Sequence, residues 1–222
     1  AMSHLSDVRN DAHDFKTLVI DPLNWLEPLC WERVTPTGDL EKVPYGKGFD
    51  VAAVYWRQMV ALVSSIWSER QMNIVVLAHA ITRKHPNPAG AEWMQWVPAI
   101  NAKSVGYWTQ WVDFVLFMQH ETVAIQGENK RTLGQTTGLR VAHAAPCGAW
   151  LAKNRGLPES FPLSWAAMTE ALERVTALRA ELEVMLEGMP GNYAAKAFAA
   201  AEDPNVSLEE LVNKVRTKKE SM

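Results

Sequence analysis

The sequence predicts an α/β fold, with a mainly parallel sheet flanked by helices, an antiparallel hairpin extension and C-terminal helices. Residues 15–21 form a short apolar run that ends in Asp21, and residues 73–79 form a second such run. Continuous apolar runs of this length are typical of strands buried on both faces of a parallel sheet. Between them, residues 50–70 repeat apolar side chains at helical spacing, which predicts a crossover helix with Asp50 as its N-cap.

Composition narrows the class of protein. The 222 residues are 48% hydrophobic, enough for a substantial core, and they include ten tryptophans. The formal charge is 22 − 25 = −3, so any contact with nucleic acid needs a local basic patch. The two cysteines form neither a zinc pattern nor a disulfide framework, and no apolar run is long enough to span a membrane. With no signal peptide at the N-terminus, these features predict a cytoplasmic protein.

The remaining segments complete an expected core over residues 1–187, a linker over 188–206 and a C-terminal helix over 207–222. In chain order we expect a frayed helix (1–14), a short helix (23–31), a loop (35–50), a long mobile loop (82–98), a helix (99–111), a third strand (113–118), a flexible excursion (121–138), a hairpin (140–143 with 150–153) and a long helix (165–187). Pairs Glu170–Arg174 and Arg179–Glu183 are spaced to stabilise the long helix. Ser207 to Glu210 form a capping box that opens the last helix.

Polar residues follow the predicted strands at one edge of the sheet. Asp21 ends the first strand, His79 ends the second, and Lys153 and Arg155 follow the predicted hairpin. The carboxyl edge of a parallel sheet is where α/β proteins bind ligands. There an acid can hold a metal, a histidine can sense a phosphate, and cations can neutralise a transferred phosphoryl group. The alternatives stay open: Asp21 as a turn or helix cap, His79 as a strand cap, and two solvated cations.

A second candidate surface lies after the second strand, in residues 82–108. It combines cations with aromatic side chains, which is what a single-strand binder needs for phosphate contact and base stacking. The residues are Arg83, Lys84, His85, Trp93, Trp96, Lys103, Tyr107 and Trp108. We predict DNA contact by Arg83, Lys84, Lys103, Trp93 and Trp96. The alternative is that the tryptophans pack into the core or into a subunit contact.

Taken together, these segments resemble phage-encoded RecA-like ATPases of the single-strand annealing and recombinase group, compact relatives of the RadA recombinase core. The resemblance covers about residues 14–172 and lies in six stretches in this order: Thr17–Asp21, Tyr45–Asp50, Asn73–His79, Trp111–Phe117, Ala152–Arg155 and Leu163–Trp165.

The resemblance implies a RecA-like fold, ATP with Mg²⁺ as cofactors, and a homo-oligomer, ring or filament, that acts on single-stranded DNA in the host cytoplasm. It implies that Asp21 is the Walker B acid that holds Mg²⁺ and that His79 is the sensor. The Lys153-Asn154-Arg155 sequence is similar to a RadA motif, so Lys153 and Arg155 would reach nucleotide bound by the neighbouring subunit.

One feature of that family is missing from the 222 residues. No G-x-x-x-x-G-K-[ST] loop is present, since Gly46-Lys47-Gly48 lacks the leading glycine and the Ser or Thr, and Gly134–Gly138 lacks the lysine. Without backbone amides and a lysine to hold phosphates, we expect the chain alone to bind ATP poorly. We expect either the C-terminal part of a longer protein or a natural truncation.

Two functional hypotheses follow. The first is an ATP-hydrolysing recombination or annealing protein. The alternative is a non-catalytic module that binds single-stranded DNA or a recombinase partner.

Overall fold

The computed structural model describes residues 1–126, 132–203 and 206–221. The chain folds as two compact units, Ala1–Val112 and Asp113–Met222. Both mix helices with small sheets, in agreement with the predicted mixture of helix and strand. The prediction of a mainly parallel sheet is wrong, because the described strands form one parallel pair and two antiparallel sheets.

The first unit contains four helices and four strands. In chain order they are α1 (Met2–Asn10), β1 (Thr17–Ile20), α2 (Leu23–Val34), α3 (Gly48–Arg70), β2 (Asn73–Val76), β3 (Ala80–His85), β4 (Trp93–Pro98) and α4 (Ala102–Trp111). Two short 3₁₀ turns, Leu40–Lys42 and Pro44–Gly46, lie in the segment predicted as a loop.

The predicted strand–helix–strand unit is confirmed. Strands β1 and β2 pair in parallel, with Thr17 opposite Asn73 and Ile20 opposite Val76. Helix α3 connects them and carries the centre of the apolar core, where Trp56, Val63 and Ile66 are almost fully buried. The parallel sheet has only these two strands among the described residues, so packing against α3 has to supply most of its stability.

Helix α3 begins three residues earlier than an N-cap at Asp50 predicts, because the N-cap is Lys47. The helix starts at Gly48, and Asp50 lies in its first turn instead of capping it. A Cβ atom at position 48 would overlap the carbonyl oxygen of Leu40, so glycine permits this close approach. Asp50 still stabilises the helix, because an acid in the first turn complements the helix dipole.

The prediction of a mobile loop over residues 82–98 is wrong. Most of this segment belongs to β3 and β4, which form an antiparallel hairpin with Ala80 opposite Pro98 and His85 opposite Trp93. Prolines and glycine are concentrated in the connection between the strands, where they break the pairing. In the sequence, large aromatic side chains on both faces obscure the period-2 alternation of these strands.

The second unit combines a three-stranded antiparallel sheet with three helices. Its elements are β5 (Phe117–Gln126), β6 (Thr132–His143), β7 (Ser160–Pro162), α5 (Trp165–Leu186), α6 (Gly191–Ala201) and α7 (Leu208–Glu220). The strand order is β5–β6–β7.

Three sequence predictions in this unit are corrected. The expected third strand, 113–118, is replaced by β5, which begins at Phe117 and runs antiparallel to β6. The expected excursion over 121–138 is largely strand, and residues 127–131 of it lie outside the described residues. The expected hairpin of 140–143 with 150–153 does not form: β6 pairs with β7, and Lys153 forms an isolated bridge with Val115.

The C-terminal helices form the core of the second unit. Ser164 caps α5, and Ser207 caps α7 as predicted, with its hydroxyl accepting from the Glu210 amide at 3.4 Å. The expected linker, 188–206, contains α6, which packs in the same apolar cluster as α5 and α7. The arginines of α5 form ion pairs with distant acids, Arg174 with Glu209 and Arg179 with Glu202, in place of the predicted i,i+4 pairs.

The described helices include none that is both long and apolar enough to cross a membrane.

Helix α3 offers a matched test of the first unit's core. Val63 is fully buried and Val54 is 40% exposed, so the same truncation removes the same atoms from two environments. We expect Val63→Ala to lower the free energy of unfolding by about 2 kcal/mol, from lost burial and a residual cavity. Val54→Ala should cost much less. Urea unfolding followed by tryptophan fluorescence checks this, and equal effects would contradict the placement of the core.

Candidate functional site

The first part of the candidate site is the carboxyl edge of the two parallel strands. Asp21 is the first residue after β1, and the Leu77 amide donates to the Ile20 carbonyl at 2.8 Å, which extends the pairing past β2. His79 follows two residues later. Asp21 and His79, both predicted from the sequence, therefore lie beyond the same edge of the sheet, and both residues are exposed.

The backbone beyond β2 is held in place by α2 and by the start of the segment leading to α4. The Asn24 side chain accepts from the His79 amide at 3.1 Å, and the Ala99 amide donates to the His79 carbonyl at 2.7 Å. The Leu23 amide also donates to the Leu77 carbonyl at 2.8 Å. Both His79 bonds use its main-chain amide and carbonyl, and the residue is exposed, so its imidazole is accessible to a ligand.

Glu27 is a buried acid near this edge that the sequence analysis missed. It is 7% exposed, and its two carboxylate oxygens accept from the Asn101 amide at 2.8 and 2.9 Å. Burial raises the pKa of Glu27, while the bonds from Asn101 and Ser104 and the charge of Arg83 oppose the rise. A signal was present in the sequence, because Glu27 lies one turn after the buried Leu23 on the apolar face of α2.

Arg83 is turned toward the body of the first unit. Its Nη2 atom donates to the Ile100 carbonyl at 2.5 Å, and its charge acts on the buried Glu27. Both contacts lie at the N-terminus of α4, where Asn101 caps the helix through the Lys103 amide. Arg83 therefore joins the β3–β4 hairpin to α4, a structural role that competes with the predicted contact to DNA.

The remaining residues of the hairpin that were predicted to contact DNA lie on two different faces of β3–β4. Lys84 is paired with Met94, and Trp96 with Thr82, so the side chains of Lys84 and Trp96 lie on one face. Trp93 lies on the other face, with its ring 4.8 Å from that of His85. The Lys84 ammonium is 3.5 Å from the Glu92 carboxylate, an exposed pair that contributes little to stability.

Lys103 lies on α4 and contacts α3. Its ammonium is 3.6 Å from the Asp50 carboxylate and 5.7 Å from the centre of the Phe49 ring. The five residues predicted to contact DNA thus do not form one patch. Lys84 and Trp96 share one face of the hairpin, Trp93 lies on the opposite face, and Lys103 lies on α4.

The predicted cations of the second unit lie in a constrained turn. The Lys153 backbone exchanges two hydrogen bonds of 3.0 Å with Val115, and the Asn154 side chain bonds the amide and the carbonyl of Leu157 at 2.7 Å each. Desolvation, and then the charge of Arg155, lowers the pKa of Lys153, while Asp113 opposes the shift. Arg155 contacts Asp113 at 3.3 Å and Glu202 at 2.5 Å. These side chains are therefore positioned by their own unit.

The residues present fit one part of a magnesium–nucleotide complex. Magnesium in nucleotide sites uses one or two protein carboxylates together with waters and phosphate oxygens, so a single exposed Asp21 is compatible with that role. The described residues contain no group of three or more His, Cys, Asp or Glu side chains that could hold a metal by themselves. The 222 residues also contain no G-x-x-x-x-G-K-[ST] cradle for the phosphates, so no step of hydrolysis follows from them.

A mixed α/β chain with an acid after a parallel strand is compatible with a P-loop nucleotide-binding protein. The family model described as an AAA domain matches residues 2–156, which is more than half of the chain. The chain belongs to this AAA-domain family of P-loop ATPases. Comparison with curated proteins and with solved structures gave no match.

The buried Glu27 predicts a specific pH dependence. Its folded pKa is above the ordinary value of 4.5, so the folded state retains a proton that the unfolded state loses as the pH rises through that value. Wild-type stability should therefore fall, relative to Glu27→Gln, over a pH range that begins near the ordinary value of 4.5 and extends upward. Urea unfolding of both proteins across this range measures the difference.

Glu32→Gln, an exposed change on the same helix, controls for the loss of one negative charge. A wild-type stability that rises with pH relative to Glu27→Gln would contradict the assignment.

Proposed function

We propose that this chain is a RecA-like core of an ATPase that acts in DNA recombination or single-strand annealing. The observation that carries the proposal is the carboxyl edge of the β1–β2 pair, where Asp21 and His79 follow adjacent parallel strands of an AAA-family domain. This is the edge at which α/β proteins bind ligands. The resemblance of the motif order to phage recombinases supports the DNA-directed role.

In this proposal Asp21 holds the Mg²⁺ of a bound nucleotide, and His79 senses the terminal phosphate. The Asn24 side chain keeps the backbone of His79 close to the residue that follows β1. An exposed carboxylate suits magnesium, which retains several waters and takes its other ligands from phosphate oxygens. Since the 222 residues lack a phosphate-binding loop, we expect the chain alone to bind ATP weakly.

Lys153 and Arg155 would act on nucleotide bound by a neighbouring copy in a ring or filament. Cations delivered by a neighbour can neutralise charge that develops on a transferred phosphoryl group. The rigid turn formed by Asn154 supports such a role, because delivery between subunits requires a fixed backbone.

The proposed DNA contact is the face of the β3–β4 hairpin that carries Lys84 and Trp96. Trp96 is 41% exposed and the adjacent Met94 is 52% exposed, so an apolar, stackable surface lies beside a cation. Single-strand binders combine these two elements. A phage-encoded protein acting in the host cytoplasm would meet such DNA during recombination.

A second candidate function is a non-catalytic module that binds single-stranded DNA or a recombinase partner. The missing G-x-x-x-x-G-K-[ST] loop favours it, because the hairpin face does not depend on nucleotide. Binding of DNA with no change on addition of ATP and Mg²⁺ would favour this candidate over the first.

The proposed metal role of Asp21 predicts a localised paramagnetic effect. Mn²⁺ added with ATP should broaden the backbone amide signals of Asp21 and of residues 77–79, because these lie at one edge of the sheet. Asp21→Asn should abolish this broadening, whereas Asp14→Asn, which removes an acid on the other side of β1, should preserve it. Amide NMR spectra of the full chain provide the measurement. Broadening that survives in Asp21→Asn would exclude Asp21 as the metal ligand.

The hairpin face predicts a change in salt dependence. Lys84→Ala should weaken binding of an oligothymidylate and reduce the slope of log K against log salt by about 0.7, for one phosphate contact on a single strand. Trp96→Ala should weaken binding by about 1–3 kcal/mol with an unchanged slope, through lost stacking. Fluorescence anisotropy at several salt concentrations gives both values.

The matched control is Lys16→Ala, which removes an exposed lysine just before β1. If Lys84→Ala behaves like Lys16→Ala, the hairpin face is not the DNA contact.

A further inference from the structure

Glu202 connects two arginines of the second unit. Its Oε2 atom is 2.5 Å from Arg155 Nη1, and its Oε1 atom is 2.7 Å from Arg179 Nη1. The Arg179 hydrogen bond is the largest cause that lowers the pKa of Glu202, followed in the same direction by the charges of Arg179 and Arg155, so the carboxylate stays ionised near neutral pH. Each oxygen of the Glu202 carboxylate thus forms an ion pair with one guanidinium group.

The same two arginines line a pocket of about 280 Å³. Its other lining residues are Asp113, Phe114, Leu172, Val175 and Thr176. Arg155 is the better enclosed of the two cations, with its side chain 29% exposed and its Nε atom buried without a hydrogen-bond partner among the described residues. This buried Nε–H is not accessible to solvent, so the donors that a ligand in the pocket would meet are the Nη groups that bond Glu202.

The chemistry of this arrangement is that of oxyanion recognition. Two guanidinium groups that converge on one anion make the charge-assisted bonds by which arginines bind carboxylates and phosphates. Glu202 therefore occupies the position of an anionic ligand, and together with Asp113, which lies 3.3 Å from Arg155, it balances the charge of the two arginines. A phosphate group presents more acceptor oxygens and more charge than a carboxylate, so it can compete for the same donors.

The residues of the site come from two segments of the sequence. Arg155 lies inside the AAA-family match, which ends at residue 156, whereas Arg179 and Glu202 belong to the helical region that follows it. Gly156, with φ +103°, approaches Leu208 and Val175, so the turn that carries Arg155 packs directly against α7 and α5. The C-terminal helices can therefore control Arg155 through direct contact.

We propose that Arg155 and Arg179 form a binding site for the phosphate chain of a nucleotide, and that Glu202 holds this site closed until phosphate displaces it. The inference rests on the proposed role of Arg155 toward nucleotide. It adds Arg179 as a second phosphate ligand and assigns the region of Glu202 a regulatory role.

The test titrates tripolyphosphate into Glu202→Gln by isothermal calorimetry. The substituted side chain is neutral, so each guanidinium group loses its ion pair with position 202, while Arg155 keeps its contact with Asp113. We expect binding about tenfold tighter than in wild type. Glu209→Gln is the matched control, because it breaks an exposed ion pair with Arg174, another arginine of α5. Adding Arg155→Ala or Arg179→Ala to Glu202→Gln should abolish the gain.

Equal binding by Glu202→Gln and Glu209→Gln would overturn the proposal, as would a gain that survives loss of either arginine. A gain for oligothymidylate without a gain for tripolyphosphate would also overturn it, since the site would then recognise DNA. These readouts require neither Mg²⁺ nor hydrolysis, so they remain distinguishable from a failure of the Asp21 experiment.

A measurement on wild-type protein makes the test independent of the folding of the variants. Saturating tripolyphosphate should shift the Nε–H signals of Arg155 and Arg179 in NMR spectra and leave that of Arg174 unchanged. Absence of a shift at Arg155 and Arg179 would overturn the proposal.

Discussion

The parallel pairing of β1 with β2 is the constraint on which the first unit depends. Four register pairs align the strands, and the Leu77 amide continues the ladder to the Ile20 carbonyl. Because side chains alternate along a strand, this register buries Ile20 while Val19 stays 53% exposed. The same register places the chain immediately after Ile20 beside the chain after Val76, so Asp21 and His79 follow the same edge.

Polar contacts between elements of the first unit hold the backbone at this edge. The Asn24 side chain accepts a hydrogen bond from the His79 amide, and the Glu27 carboxylate accepts one from the Asn101 amide just before α4. The charge of Arg83 acts to lower the pKa of Glu27. A buried carboxylate requires such donors, because an unpaired charge in the interior is strongly destabilising. The hairpin, α2 and the N-terminus of α4 are therefore coupled through one acid.

In the second unit, ion pairs connect the helices to one another. Arg174 and Arg179 both contact acids far along the chain, Glu209 and Glu202, and so tie α5 to the segments around α6 and α7. Glu202 also forms an ion pair with Arg155, the cation that the resemblance to RecA-like ATPases associates with nucleotide. A residue expected to act on phosphate is thus held by an internal anion, which supports a role for the C-terminal helices beyond stability.

The sequence by itself determined the elements whose signal is local. The apolar runs around β1 and β2, the helical periodicity of α3 and α5, and the N-cap at Ser207 all depend on neighbouring residues, and the structure contains each of them. The placement of Asp21 and His79 after parallel strands also followed from these patterns. Tertiary structure decided the features that depend on distant partners. These are the direction of β5, the pairing of β6 with β7, the burial of Glu27, and the ion pair of Arg179 with Glu202 in place of one with Glu183 on its own helix. Burial and charge pairing are properties of residues brought together by folding, and sequence spacing does not record them.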